Sequence, residues 1–153
     1  MNNSTRILLA LAMSAALAAC DSASRDEAQA DAAKAQAVER GVRPDRVWFD
    51  PGLGFSKNAR HSIELVARSR ALVAHGAVLV YGTSRKSFIR VLHDAPPEER
   101  LGGTLAASLW AARAGVQILR VHDVAAHRQA LLVEAALAEA SAGDPKARVR
   151  AAR

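Results

Sequence analysis

The chain has 153 residues, about the length of one domain, and half of them are hydrophobic. This apolar content excludes a chain that is disordered throughout. The aromatic content of 4% argues against a stacking platform for single-stranded nucleic acid, so we predict no nucleic-acid partner. With 21 Lys and Arg against 15 Asp and Glu, the net charge is +6, which suits an anionic partner such as a phosphorylated substrate, nucleic acid or an acidic membrane surface. A bias of the composition toward arginine and alanine is the alternative origin of this charge.

The N-terminal segment, residues 1–20, has the pattern of an export signal. A polar stretch with one positive charge precedes an apolar run over residues 7–19, which is shorter than the about 20 residues that span a bilayer. The run ends in LAAC at residues 17–20, which resembles the lipobox of bacterial lipoproteins. The resemblance implies cleavage before Cys20, lipidation of its thiol and a membrane anchor. The alternative is an apolar helix with an incidental cysteine. Cys20 is the only cysteine, which excludes an internal disulfide.

Residues 21–41 form an alanine-rich linker that contains strong helix formers and no proline. Gly41 stands where a helix commonly ends, and Pro44 follows shortly after it. The sequence therefore predicts a tether followed by a helix over residues 30–40.

The rest of the chain alternates between β-favouring and helix-favouring segments. Three runs rich in apolar residues predict strands over residues 46–49, 77–81 and 116–121. Helical patterns predict helices over residues 61–75, 87–92, 101–114 and 124–140, and residues 141–153 predict a basic, flexible tail. Strands that alternate with helices indicate an α/β fold with a parallel sheet.

Charged residues follow each predicted strand, at the end where parallel sheets collect function. Asp50 follows the first strand and either caps a turn or binds N–H groups of a ligand. Lys86 precedes a helix start and either faces solvent or binds an anion. Arg120 ends the third strand, where it must pair with a carboxylate such as Asp123 or with a phosphate, and His122 lies beside it. No His or acidic residues have the spacing of a protein metal site.

Three motifs at these strand ends, in this order, resemble dihydropteroate synthase. They are DPGxGFxKN at residues 50–58, GxSRKS at 82–87 and RVHDV at 120–124. The resemblance implies that residues 42–140 are the C-terminal part of a pterin-binding domain. The implied fold is a partial (β/α)8 barrel that holds the last three parallel strands with their helices.

The synthase is a transferase of folate biosynthesis. It joins para-aminobenzoate to 7,8-dihydropterin pyrophosphate and releases pyrophosphate with the help of Mg²⁺. By resemblance, Asp50 and Lys86 would bind the pterin ring, and Arg120 and His122 would hold the pyrophosphate, with Lys86, Arg120 and His122 as the catalytic groups. The para-aminobenzoate pocket and the loop beside it would be formed by Phe55, Gly82, Arg85 and Ser87.

The sequence also departs from the family pattern. The first-strand loop, which carries the family's Mg²⁺ motif, has no counterpart here, so we expect a truncated synthase that lacks the protein ligand of its cofactor. Resemblance implies a homodimer through the C-terminal helices and a cytoplasmic location, whereas the signal pattern implies a membrane-anchored lipoprotein. The alternatives are a non-catalytic module that binds pterin or another anion, a non-functional lipoprotein fusion, and a related pterin-domain methyltransferase.

Overall fold

The computed structural model describes residues 28–142, except residues 30, 56, 75 and 77. The predicted signal segment, Cys20 and most of the predicted basic tail lie outside the described residues. Residues 31–39 are helical (α1), which agrees with the helix predicted over residues 30–40.

Three short parallel strands form one sheet with the order β1-β2-β3. They are β1 (Trp48–Phe49), β2 (Val78–Tyr81) and β3 (Ile118–Leu119). The predicted parallel sheet is therefore confirmed. The first strand is shorter than predicted because Pro44–Arg46 forms a turn of 3₁₀-helix. The third begins late because the Gln117 side chain, through Oε1, accepts the Leu79 N–H at 2.9 Å in place of a backbone carbonyl.

Helices connect the strands and continue beyond the last one. They are α2 (Ala59–Ala67), α3 (Ser69–Ala74), α4 (Ser87–Leu92), α5 (Leu101–Arg113) and α6 (Val124–Ser141). The prediction of a single helix over residues 61–75 is wrong, because the chain turns at Arg68 between α2 and α3. There the Ser69 hydroxyl donates to the Val66 carbonyl at 2.7 Å, a side-chain bond that competes with the helical ladder.

One face of the sheet packs on the helices and forms the core. Leu79 and Tyr81, which alternate along β2, are 1% and 0% exposed. They belong to a cluster with Leu65 of α2, Leu72 of α3 and Ala111 of α5. Trp48 lies one residue out of phase with this face, opposite Val78, and is 60% exposed. In the described part of the chain, no helix has both the length and the apolar character needed to cross a membrane.

We expect Leu79→Ala to lower the free energy of unfolding by about 2–5 kcal/mol, because it deletes a fully buried side chain and leaves a cavity. The matched control is Leu92→Ala, since Leu92 is 73% exposed. We expect this change to cost under about 0.5 kcal/mol. Urea denaturation followed by circular dichroism measures both. Equal losses in the two variants would contradict the assignment of the core.

Candidate functional site

The site lies at the carboxyl edge of the sheet, where the three strands end side by side. Because all three strands run parallel, the loops that begin at Asp50, Gly82 and Arg120 meet at this edge. Leu53 anchors the first loop, since its side chain is 1% exposed and belongs to the core cluster. The loop's polar and aromatic groups are thereby held above the sheet.

Lys86 lies along the first loop. Its Nζ is 4.0 Å from the centroid of the Phe55 ring, a cation–π contact. Its alkyl chain passes so close to Gly54 that a Cβ at residue 54 would lie 2.9 Å from Lys86 Cδ. Gly54 also has a φ of +75°, a left-handed conformation that favours glycine. The close approach of Lys86 therefore depends on the missing side chain of Gly54.

Arg120 lies across the second loop in a similar way. Its backbone N–H donates to the Tyr81 carbonyl at 2.8 Å, which extends the pairing of β2 and β3 by one residue. A Cβ at Gly82 would lie 2.8 Å from Arg120 Nη2, so a larger residue there would require the guanidinium to shift. Within the described residues, this guanidinium has no hydrogen-bond or ion-pair partner.

Asp123 pairs with Arg85 rather than with Arg120, so the alternative that Asp123 neutralises Arg120 is wrong. Arg85 Nε and Nη2 donate to the two carboxylate oxygens at 3.2 and 2.8 Å. These hydrogen bonds lower the pKa of Asp123 and raise that of Arg85. A bidentate pair of this kind fixes geometry as well as charge. The second and third loops are thereby tied together.

Arg85 itself has a φ of +60°, a left-handed conformation that is uncommon for a residue with a side chain. Both of its main-chain groups have side-chain partners. Its N–H donates to Thr104 Oγ1 at 3.0 Å, and its carbonyl accepts from Arg100 Nη1 at 3.0 Å. Arg100 is 8% exposed and also donates to the Ala95 carbonyl. The surrounding structure thus holds the loop in a conformation that the chain would not adopt alone.

Asp50 is exposed, and its Oδ1 accepts the Gly52 N–H at 2.8 Å. The interpretation of Asp50 as a turn residue is therefore correct, and its second carboxylate oxygen makes no hydrogen bond in the described part of the chain. Burial lowers the pKa of Lys86, the positive charge of Arg120 lowers it further, and the negative charge of Asp50 partly offsets both effects. The three side chains therefore share one electrostatic environment.

His122 is held by Ser84. The Ser84 hydroxyl oxygen accepts the His122 backbone N–H at 3.3 Å and lies 2.8 Å from Nδ1 of the ring. The donor in this pair depends on the tautomer of the ring, because the hydroxyl oxygen has a second lone pair with which to accept. His122 is exposed, so its ring is accessible to a ligand at the edge.

The remaining predicted residues lie around the same edge. Phe55 is 63% exposed, Gly82 is buried, and Ser87 is the exposed first residue of α4. The edge thus brings together three cationic or N–H-donating side chains and one carboxylate with an oxygen to spare. Such an arrangement can bind a polyanion next to a group that offers N–H donors.

The donors at this edge do not fit Mg²⁺, the cofactor that the family resemblance implies. Mg²⁺ prefers several oxygen ligands, whereas Asp123 is already engaged by Arg85 and Asp50 offers one free carboxylate oxygen. No group of three or more His, Cys, Asp or Glu that could hold a metal ion occurs within the described ranges.

Sequence reasoning missed several residues that support the site. Thr104 and Ser108 are buried on α5 together with Ala111, at 0%, 1% and 0% exposure. Their spacing of four and three residues places them on the inward face of the helix. Polar residues on a buried helical stripe are the signal that could have identified them, because buried polar groups require hydrogen-bond partners.

A sequence model of the family described as pterin binding enzyme matches residues 12–122. Dihydropteroate synthase of Escherichia coli K12 is 40% identical over 104 residues, which cover 67% of this chain and 37% of that protein. The crystal structure of the Yersinia pestis synthase with a sulfonamide drug complex is similar at a TM-score of 0.74 and 32% identity, covering 78% of this chain and 43% of the other. The structure of the Thermus thermophilus synthase in complex with 4-aminobenzoate is similar at a TM-score of 0.72 and 41% identity. The match covers 77% of this chain and 48% of the other.

These similarities confirm the predicted partial (β/α)8 barrel. The chain spans less than half the length of each of these relatives. The family match begins at residue 12, inside the predicted signal segment, and gives that segment no support.

Removing the charge of Arg120 should raise the pKa of Lys86. We expect Arg120→Gln to shift it part of the way toward the ordinary value of about 10.4, because burial continues to lower it. NMR titration of the lysine Cε signals measures the shift, with Arg128→Gln, an exposed position on α6, as the control. An unchanged Lys86 titration in Arg120→Gln would contradict the proximity of the two charges.

Proposed function

Because the chain belongs to the family of pterin binding enzymes, we propose that its carboxyl edge binds dihydropterin pyrophosphate in a dihydropteroate synthase-like transfer reaction of folate biosynthesis. The observation that carries this proposal is the unpaired guanidinium of Arg120, which lies at the edge with Lys86 and the ring of His122. Positive groups without a protein counter-ion in the described region are suited to a pyrophosphate.

In this proposal, Asp50 and Lys86 recognise the pterin ring. Asp50 has a carboxylate oxygen left to accept N–H groups of the ring, and the Lys86 ammonium donates to ring acceptor atoms. Asp50 and Lys86 therefore match the donor and acceptor edges of a pterin. The charge of Asp50 also favours the protonated form of Lys86.

Arg120 and His122 bind the pyrophosphate and promote its departure. The bond between the pterin methylene carbon and the pyrophosphate oxygen breaks, and the electron pair leaves with that oxygen. The amine of para-aminobenzoate forms the new C–N bond and loses a proton. Since negative charge develops on the leaving oxygen, cationic and N–H groups that are already in place stabilise the transition state. Mg²⁺ would assist this departure in the family, but the described residues contain no group of three or more His, Cys, Asp or Glu that could hold it.

Phe55, Arg85 and Ser87 form the para-aminobenzoate side of the site. Phe55 offers an exposed ring beside the Lys86 ammonium, and Ser87 lies one residue further along. The Thermus thermophilus relative was crystallised in complex with 4-aminobenzoate, which supports this compound as the class of ligand. Arg85 contributes through its apolar stem, since its guanidinium is engaged by Asp123.

We propose that turnover requires further strands beside this sheet. The described sheet has three strands, and one edge each of β1 and β3 carries no partner strand within the described ranges. A three-stranded sheet does not close a barrel. The alternative is binding of pterin or another anion without turnover.

We also propose a homodimer and a membrane anchor. Exposed apolar side chains on the C-terminal helices support a homodimer through this surface; they are Trp110, Leu132, Val133 and Leu137. A membrane anchor through Cys20 rests on the lipobox resemblance alone. The protein is membrane-anchored if the signal is cleaved and Cys20 is lipidated, and cytoplasmic if it is not exported.

Calorimetric titration of the full chain with dihydropterin pyrophosphate tests the site directly. We expect saturable binding that weakens at least about tenfold in Lys86→Ala, since a hydrogen bond from a charged group is lost. Lys34→Ala on α1 removes the same side chain elsewhere and should leave binding unchanged. Affinity should also fall as the pH rises through the pKa of Lys86, because the ammonium then loses its charge.

Product formation with para-aminobenzoate separates the two candidate functions. Binding with turnover supports the synthase, and binding without turnover supports the binding module. Absence of binding, or equal binding by wild type and Lys86→Ala, would refute the proposed site.

A further inference from the structure

A buried chain of polar side chains lies behind the candidate site. Thr83 follows β2, Ser108 lies on α5 and His127 lies on α6, and the three are 0%, 1% and 4% exposed. Thr83 Oγ1 is 2.8 Å from Ser108 Oγ, and Ser108 Oγ is 3.2 Å from His127 Nε2. His127 Nδ1 is 2.8 Å from the Asp123 carbonyl oxygen.

The direction of these hydrogen bonds follows from the last one. A carbonyl oxygen only accepts, so Nδ1 of His127 carries the proton and donates to Asp123. Nε2 of the neutral ring then accepts from the Ser108 hydroxyl, whose oxygen accepts from Thr83. Each of these buried polar groups is thereby satisfied.

Two groups of His127 bond to the carbonyl oxygen of Asp123. The Asp123 carbonyl accepts both the His127 backbone N–H, at 3.1 Å, and the ring Nδ1–H. Asp123 occupies the N-cap position of α6, yet its side chain makes no capping hydrogen bond, because it pairs with Arg85. The ring of His127 therefore adds a second hydrogen bond to the carbonyl at this helix start.

Asp123 ends the short segment that carries both proposed pyrophosphate ligands. Arg120 begins this segment with its N–H bonded to Tyr81, and His122 is bonded to Ser84 within it. If residue 123 shifts, the backbone of the segment loses support at its C-terminal end, next to His122 and three residues from Arg120.

We propose that His127 is a positioning residue for the anion-binding segment 120–123, acting through its ring hydrogen bond to the Asp123 carbonyl. The consequence for ligand affinity rests on the proposed function, whereas the consequence for the segment itself does not. His127 does not touch the ligand in this proposal.

Two conservative variants separate the two nitrogens of the ring. The amide nitrogen of asparagine stands near the position of Nδ1, so His127→Asn retains a donor for the Asp123 carbonyl. The longer glutamine reaches the position of Nε2, so His127→Gln retains an acceptor for Ser108 but loses the bond to Asp123. If His127 only filled space, loss of the bond to Asp123 would not make His127→Gln more disruptive than His127→Asn.

Amide hydrogen exchange of the full chain without ligand gives the first measurement. We expect the amides of Arg120 and His122 to exchange at least about tenfold faster in His127→Gln, and near the wild-type rate in His127→Asn. Gln129→Ala, an exposed position on α6, is the control. If His127→Gln does not fold, Ser108→Ala should still leave exchange at Arg120 less affected than at residues of α5.

Titration with inorganic pyrophosphate gives the second measurement, and we expect affinity to fall about tenfold in His127→Gln but not in His127→Asn. Equal exchange of the Arg120 and His122 amides in wild type and His127→Gln overturns the proposal, as does an equal effect of both variants. If wild type binds no pyrophosphate while the exchange order is as expected, the proposed function fails and the positioning role stands.

Discussion

The parallel register of β2 and β3 is the constraint on which the site depends. Tyr81 pairs with Leu119, and the Arg120 N–H continues this pairing by donating to the Tyr81 carbonyl at 2.8 Å. The residues that follow the two strands, Gly82 and Arg120, therefore lie side by side. Because Gly82 has no Cβ, the guanidinium lies across the loop instead of being displaced from it. A slip of one residue would reverse the facing of every side chain on β3 and remove Arg120 from the edge.

The ion pairing at this edge divides the charged groups into two sets. Arg85 and Asp123 neutralise each other and join the loops, while Arg120 is close enough for its charge to lower the pKa of Lys86. The lowered pKa of Lys86 reflects the cost of burying one cation near another. A bound anion would stabilise these cationic groups, because it would offset both the cost of burying Lys86 and the repulsion from Arg120. The arrangement of charges therefore favours an anionic ligand, since no described carboxylate pairs with Arg120.

The sequence was sufficient for the order of the three strands and for the residues at their ends, because apolar runs and polar loops are local signals. It was insufficient for the pairing of Asp123, since Arg120 is only three residues away along the chain while the fold brings Arg85 closer from the second loop. The break at Arg68 depends on a hydroxyl that bonds backward along the helix, and no change of periodicity marks it. His127 and Ser108 become partners only when α5 and α6 pack together, so their roles depend on long-range contacts.

The central claim is that the carboxyl edge of the sheet is a dihydropterin pyrophosphate site formed by Asp50, Lys86, Arg120 and His122. The most direct measurement is a titration of the isotope-labelled full chain with this compound, followed by NMR. The account predicts that the largest shifts occur in the loops after the three strands, including the side-chain signals of Arg120 and the Nε2 of His122. Shifts confined to other surfaces, or none at saturating ligand, would contradict it.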